Sequence, residues 1–311
     1  LPRVGFSALL APGLVRYLWR NIRGFDVVHI HMARDIVTLG AAEIARRRAV
    51  PYVIQTHGMI RPSESLLIRT IDRLATRRIV RGALYVFVLS DEESEIFWRW
   101  LPKDRVRVLP NGTPVTEGVP AEATLPGRVK VLFCSRLHSR KRASLFAEAA
   151  ARLIEAGSDA QFEIVGPDEG DGQRVQRWVD QVSDATRLSW DGGVDPETAR
   201  ARIASCDIFV LPSLDEPFGM VVIEAMAAGR PVIVTRSCLL SSIVESSGSG
   251  LVVEPDDVAA LMAAIDDLAG NATRRSEMGR LGRALVERQF GMTSIGDRLE
   301  GVYAEALSSA H

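Results

Sequence analysis

Short runs of aliphatic and β-branched residues alternate along the chain with longer stretches of helical periodicity. Residues 26–31 (D-V-V-H-I-H) read as a strand that ends in polar residues, and 41–48 as a helix. Residues 51–56 form a second strand running into His57 and Gly58, and 66–81 are helical. Residues 84–89 are a third strand, followed by Ser90 and an acidic helix start at Asp91, Glu92 and Glu93; 106–109 is a short fourth. Residues 113–127 hold three prolines and two glycines without period and read as a linker. A second series follows: strand 129–134, helix 144–156, strand 161–165, helix 172–181 and strand 187–190. After a central unit come strand 251–253 and helices 256–268, 272–288 and 293–308. The order predicts an α/β protein built of two doubly wound, Rossmann-like domains facing a cleft. The expected boundaries are 1–125, 126–290 and a closing helix, 291–311.

The central unit is residues 207–235. An apolar run from Asp207 to Pro212 reads as a buried parallel strand. A loop, 213–219, carries Asp215 and Glu216. A helix over 220–228 follows despite Val221, Val222 and Ile223; Gly229 ends it and Pro231 stops any continuation before strand 232–235. Ligands of open α/β sheets bind at such strand-to-helix loops, where a helix start offers free N–H groups to an anion. Glu216 and Glu224 are eight apart, so both can face one cleft; each can also be read as a solvated charge.

Composition narrows the class. At 311 residues, 47% hydrophobic and 25% charged, the chain has the make-up of a globular protein with room for two domains. It has no apolar run of about 18 residues to cross a membrane, and the early stretch 4–18, broken by Pro12 and Gly13, lacks signal-peptide form. Cys134, Cys206 and Cys238 are widely spaced without a metal-ligand pattern, and read as reduced cysteines of a cytosolic protein. Net charge is −1 but unevenly placed: residues 1–125 carry 18 Lys and Arg against 12 Asp and Glu, the remainder 20 against 27. The basic half is expected to meet something anionic, though it is not basic enough for a nucleic-acid binder. Arg69, Arg73, Arg77 and Arg81 line one face of helix 66–81 beside apolar neighbours, a stripe that fits anionic headgroups, a lipid diphosphate, or plain solvent.

E-P-F-G-M-V-V-I-E at 216–224, followed by A-M-A-A-G-R-P-V, closely resembles the glutamate-x7-glutamate signature of family 4 glycosyltransferases, retaining enzymes of GT-B architecture. The resemblance extends through D-V-V-H-I-H, T-H-G at 56–58, L-S-D-E-E at 89–93, L-P-N-G at 109–112, S-R-L-H-S-R-K at 135–141, V-G at 165–166 and V-Y at 302–303. It implies transfer of a hexose-type sugar from a UDP- or GDP-sugar, a co-substrate rather than a cofactor, to a glycan or lipid-linked acceptor in polysaccharide or glycolipid synthesis. The place implied is the cytoplasmic face of a membrane, with an anionic surface as possible partner. Arg136 and Lys141 are the implied cations at the leaving diphosphate, which would make a metal unnecessary. Lys141 is one of only three lysines, with Lys103 and Lys130.

By the same resemblance the closing helix, 291–311, crosses back to the first domain, Glu224 binds the donor ribose and Glu216 the transferred sugar. Phe218, Gly219, Met220 and Val221 offer backbone N–H groups to sugar and phosphate. His57 contacts a sugar hydroxyl or the transition state, and Gly166 and Val194 wall the base pocket. His29, His31 and His138 read as structural. Front-face departure and attack is favoured over a Glu216 nucleophile. Three features depart from the pattern: Ser135 and Arg142 stand where glycines are usual, 237–242 (S-C-L-L-S-S) replaces a small-residue-then-glutamate segment, and the expected first strands and Gly-Gly loop, roughly 70 to 90 residues, do not precede Leu1. On that basis residues 128–290 are expected to fold and bind nucleotide weakly, and the first domain to expose a strand edge that leaves the chain poorly soluble or dimeric and inactive. Rival readings are a nucleotide-sugar epimerase, a glycogen-phosphorylase relative, which would need a cofactor-binding lysine where only Lys130 is unassigned in the C-terminal half, and a non-catalytic nucleotide-sugar-binding fragment.

Overall fold

A computed structural model describes residues 11–115 and 127–308. They form two compact units: one runs to Asn111 and resumes at Ile295, the other is Gly112–Ser294. Both are Rossmann-like, with helices around a parallel sheet.

In the first unit the elements are α1 (Pro12–Asn21), β1 (Val28–His31), α2 (Ile36–Arg47), β2 (Tyr52–Gln55), α3 (Leu66–Ile71), α4 (Arg77–Gly82), β3 (Val86–Val88), α5 (Asp91–Trp98) and β4 (Val106–Val108). The four strands lie in chain order, β1-β2-β3-β4, all parallel. Alternation along them sorts side chains between two faces. Tyr52, Ile54, Val86 and Val88 join Ile30, Ile79 and Phe97 in one core. Val53 and Phe87 point the other way and pack with Leu109 and Ile295, with Leu299, Val302 and Tyr303 of the helix Met292–Ser308 alongside.

Three helices in this unit differ from the sequence expectation. α1 is an addition to it: Pro12, expected to break the apolar stretch 4–18, is instead the first residue of the helix. α2 starts well before residue 41, because the Asp35 carboxylate caps it by accepting from the Thr38 N–H at 2.8 Å. The helix expected over 66–81 contains a single π turn, Asp72–Thr76, between α3 and α4. The start of α5 is as expected: Ser90 caps it, accepting from the Glu93 N–H at 3.2 Å.

The second unit runs β5 (Lys130–Cys134), α6 (Ala143–Glu155), β6 (Gln161–Val165), α7 (Gly172–Gln181), β7 (Leu188–Trp190), α8 (Pro196–Ser205), β8 (Ile208–Leu211), α9 (Met220–Ala227), β9 (Val232–Thr235), α10 (Ser241–Ser247), β10 (Gly250–Val253), α11 (Val258–Gly270) and α12 (Ala272–Gln289). Its strand order is β10-β9-β8-β5-β6-β7. The chain winds outward from β5 to β7, then returns to the other side of β5 and winds the opposite way. β5 and β8 therefore flank the switch point, where loops at the strands' carboxyl ends diverge and leave room for a ligand. α8 and α10 are additions to the sequence reading. α8 buries only Ile203, and α10 is serine-rich, burying Ser241 and Val244.

Of the expected linker, residues 116–126 lie outside the described residues, as do the expected 125/126 boundary and the start of stretch 4–18. Thr113 pairs with Gly291 in an isolated parallel bridge.

Candidate functional site

The loop after β5 and the loop after β8 meet at the switch point. The Leu214 N–H donates to the Arg140 carbonyl at 2.7 Å, tying the two together. Ser213 is held from below, since the Thr235 hydroxyl donates to its carbonyl, and the Asp215 N–H donates to Ser237 Oγ at 3.1 Å. Asp215 sits at φ 48°, a left-handed conformation that aspartate tolerates better than most residues. The Glu216 carbonyl accepts from the Leu239 N–H at 3.0 Å. The segment 237–242, which departs from the family pattern, thus serves as the floor of this loop.

On that frame Lys141 and Glu216 come into direct contact, Nζ on Oε2. Glu216 is only 6% exposed and the Lys141 side chain 12%, so the carboxylate is buried, the ammonium nearly so, and each charge depends on the other. Gly219 follows at φ 76°, caps α9 without a side chain, and leaves the first-turn N–H groups of Met220 and Val221 without intrahelical acceptors. The Phe218 ring turns inward, edge-on to Phe290 at 6.2 Å, so that only its backbone is left for a ligand. Glu224 is half-buried on the second turn of α9 and accepts no hydrogen bond among the described residues; burial raises its pKa, opposed by the charge of Arg200.

Arg136 is not part of the Lys141 contact. It is largely exposed, and its Nη1 donates to both Glu169 oxygens at 3.1 Å. Arg142 occupies a usual glycine position at φ 57° and pairs with Asp256 through Nε at 2.8 Å and Nη2 at 2.9 Å. Its charge is therefore already matched. Gly166, at φ 151°, lies where an added Cβ would come 1.8 Å from the Ser135 carbonyl oxygen. Its own carbonyl accepts from Trp190 Nε1 at 3.0 Å, beside the turn that carries half-buried Val194. Asp171, buried and unremarkable in the sequence, accepts from the Ser144 N–H at 3.0 Å and so caps the start of α6 from a neighbouring loop.

In the first unit His57 adopts a left-handed φ of 49° at the end of β2. The site there is larger than one histidine. His29, His31 and His57 stack in a column, with ring centroids 4.8 and 4.9 Å apart and planes within 11° of parallel. Asn111 Oδ1 lies 2.8 Å from His57 Nδ1, which must donate to it. His57 Nε2 is then the acceptor for His31 Nδ1 at 2.6 Å. His29 Nδ1 meets the Tyr303 hydroxyl at 2.5 Å. Burial, then the neighbouring histidines, lower the His29 pKa to about 4, and burial lowers that of His57. Below the column Glu93 is buried, accepting from the Gly58 N–H at 3.0 Å, the Leu89 N–H at 2.8 Å and the Thr56 hydroxyl. It fixes the turn that carries His57. His138 only caps a local turn, accepting from the Arg140 N–H at 3.2 Å. All three cysteines are buried and free, with pKa values raised by burial to about 11 for Cys134 and about 12 for the other two.

Comparison with known proteins gives consistent matches. Residues 120–285 match the family described as Glycosyl transferases group 1, and residues 1–112 the Glycosyl transferase 4-like domain. An alpha-D-kanosaminyltransferase of Streptomyces kanamyceticus is 28% identical over 84% of this chain and 72% of its own. A 2-deoxystreptamine N-acetyl-D-glucosaminyltransferase of Streptomyces fradiae is 30% identical over 91% and 73%. Among solved structures, HepE of Anabaena in complex with UDP superposes with a TM-score of 0.76 at 20% identity, covering 96% of this chain and 82% of that one. A sucrose-phosphate synthase from Thermosynechococcus elongatus gives 0.73 at 22%, covering 96% and 78%. These likenesses establish the GT-B fold.

Proposed function

The chain belongs to the group 1 glycosyl transferases, and from that premise we propose that it moves a hexose-type sugar from a UDP- or GDP-sugar to a glycan or lipid-linked acceptor, with retention at the anomeric carbon and without a metal. The observation that carries this reading is the Lys141–Glu216 pair beneath the open first turn of α9. A donor diphosphate placed at that turn meets the free N–H groups of Met220 and Val221 and the ammonium of Lys141. Glu216 then turns to the hydroxyls of the sugar, and Glu224, which accepts no hydrogen bond among the described residues, accepts from the ribose. Arg136 exchanges Glu169 for the phosphate. UDP in the Anabaena HepE structure supports a uridine donor.

The anomeric C–O bond to the diphosphate breaks as the acceptor oxygen bonds on the same face, and the acceptor's proton passes to the departing phosphate oxygen. His57, held neutral by its bond from His31, contacts acceptor or sugar hydroxyls. The basic balance of residues 1–125 supports an anionic acceptor or membrane face, in cell-surface polysaccharide or glycolipid synthesis on the cytoplasmic side.

Labelled UDP- and GDP-sugars supply the test. Transfer with the same anomeric configuration in the early product by NMR, unchanged by EDTA, is the expected result. K141A and R136A should each lower turnover by on the order of a hundredfold. R136A alters an exposed side chain, whereas K141A strands a buried carboxylate, so a melting curve accompanies both. An inverted product, or near-native rates in both variants, rejects the mechanism. Nucleotide binding without turnover leaves the binding-module reading, and C-2 or C-4 inversion of free donor the epimerase.

A further inference from the structure

The residues 66–82, α3 and α4 with the π turn between them, present a face that the fold leaves uncovered. Asp72, Thr76, Ile79 and Val80 are buried on the inner side. The outer side carries Leu66, Leu67 and Leu74, which are 77%, 70% and 70% exposed. No other large apolar side chain among the described residues is as exposed. Between and beside these leucines stand Arg69, Arg73, Arg77 and Arg81. A groove of about 850 Å³ runs along this face, with Arg99 and Trp100 of the following segment on its far wall. Arg77 lies over the Trp100 ring at 5.4 Å. The one acid in the groove, Asp72, is already taken by Arg34 at 2.8 and 3.0 Å. Arg69, Arg73, Arg81 and Arg99 have no ion pair among the described residues.

Arginines without counter-charges ask for anions, and leucines exposed at this level ask for an apolar phase; the occupant must offer both. A nucleic-acid backbone or an acidic peptide meets the charge but leaves the leucines in water. A bilayer with anionic headgroups meets both, because arginine binds phosphate in its fork while apolar side chains enter the headgroup–acyl boundary. We propose that residues 66–82 dock this protein on an anionic phospholipid bilayer, with Leu66, Leu67 and Leu74 at the acyl boundary and the Arg69–Arg73–Arg99 groove around lipid phosphates. The surface lies wholly within the first unit, and its assignment does not depend on which sugar is transferred, or whether any is.

The test is co-sedimentation of the full chain, without donor or acceptor, with vesicles of phosphatidylcholine alone and of phosphatidylcholine and phosphatidylglycerol in equal parts. Binding is expected only to the mixed vesicles and should weaken with salt. R69Q and R73Q should each weaken it about fivefold, the equivalent of about 1 kcal/mol per arginine at such a surface. L67S combined with L74S should weaken it about tenfold at unchanged charge. These side chains are exposed, so a thermal melt should be unchanged; should one variant melt early, the others give the same reading. Equal binding to neutral vesicles, no binding to mixed ones, or indifference to all the substitutions overturns the proposal. Inorganic pyrophosphate is the last arm. If it binds in calorimetry without vesicles, with the same arginine dependence and with no loss in the leucine variant, the groove is a site for a soluble phosphate ester and the bilayer assignment falls. Sugar transfer is read separately, so failure here leaves that reading intact.

Discussion

His29 is neutral in the fold at a pH where a solvated histidine is part-charged. Its pKa falls from 6.5 to about 4, through burial first and then through the charges of His31 and His57. A depressed value means that the unfolded chain binds more protons between the two, so stability is fully present above pH 6.5 and is lost as pH falls toward 4. The His31–His57 bond has the same sense, since protonating His57 Nε2 removes its acceptor. Denaturation curves between pH 7 and 4 should therefore show the first unit weakening, and H29N should flatten that slope. A slope unchanged by H29N would sink the account. In the sequence His29 and His31 were visible as polar ends of a strand, and the default structural reading was natural for each alone. What no spacing shows is that β1 and β2 lie side by side and put His57 on the same column. The Lys141–Glu216 contact, between residues 75 apart, was similarly legible only as two motif positions.

At the scale of elements, the carboxyl ends of β5 and β6 approach so closely that Gly166 is dictated by contact as well as by φ. G166A drives a Cβ into the Ser135 carbonyl and should cost roughly 3 kcal/mol or more in chemical denaturation. Gly170, at φ 112° with nothing within 4 Å of an added Cβ, is the control. G170A meets only backbone strain and should cost about 1–2 kcal/mol. Equal costs would mean that crowding at Gly166 is absent. Elements with strong periodicity or clear punctuation were legible: strand 161–165 and helix 172–181 stand at their expected bounds. α8 and α10 were not, because each buries too few apolar side chains to leave an amphipathic pattern. α8 did carry a start signal, Asp195 accepting from the N–H groups of Glu197 and Thr198 with Pro196 at the first position.

For the whole molecule, alternation of apolar runs with helical stretches was enough to give α/β architecture and parallel sheets, since parallel strands need helical crossovers between them. The chain changes units after Asn111, beside the start of the composition shift at 113–127 and ahead of the expected domain end at 125, and the first unit takes in the segment from Ile295, within the closing helix 291–311. That division makes the second unit one uninterrupted length of chain and the first a body in two pieces. During synthesis the two pieces are separated by the time needed to make everything from Gly112 to Ser294. Until the later piece emerges, Val53, Phe87 and Leu109 lack the cover of Ile295, Leu299, Val302 and Tyr303. The unit begun first is thus the one completed last. A nascent chain halted after Ser294 should show protease protection over 127–289 while the strands of 28–108 are still cut, and release of the remaining residues should close that window. Protection appearing in the reverse order would mean that the first sheet is stable with one face bare.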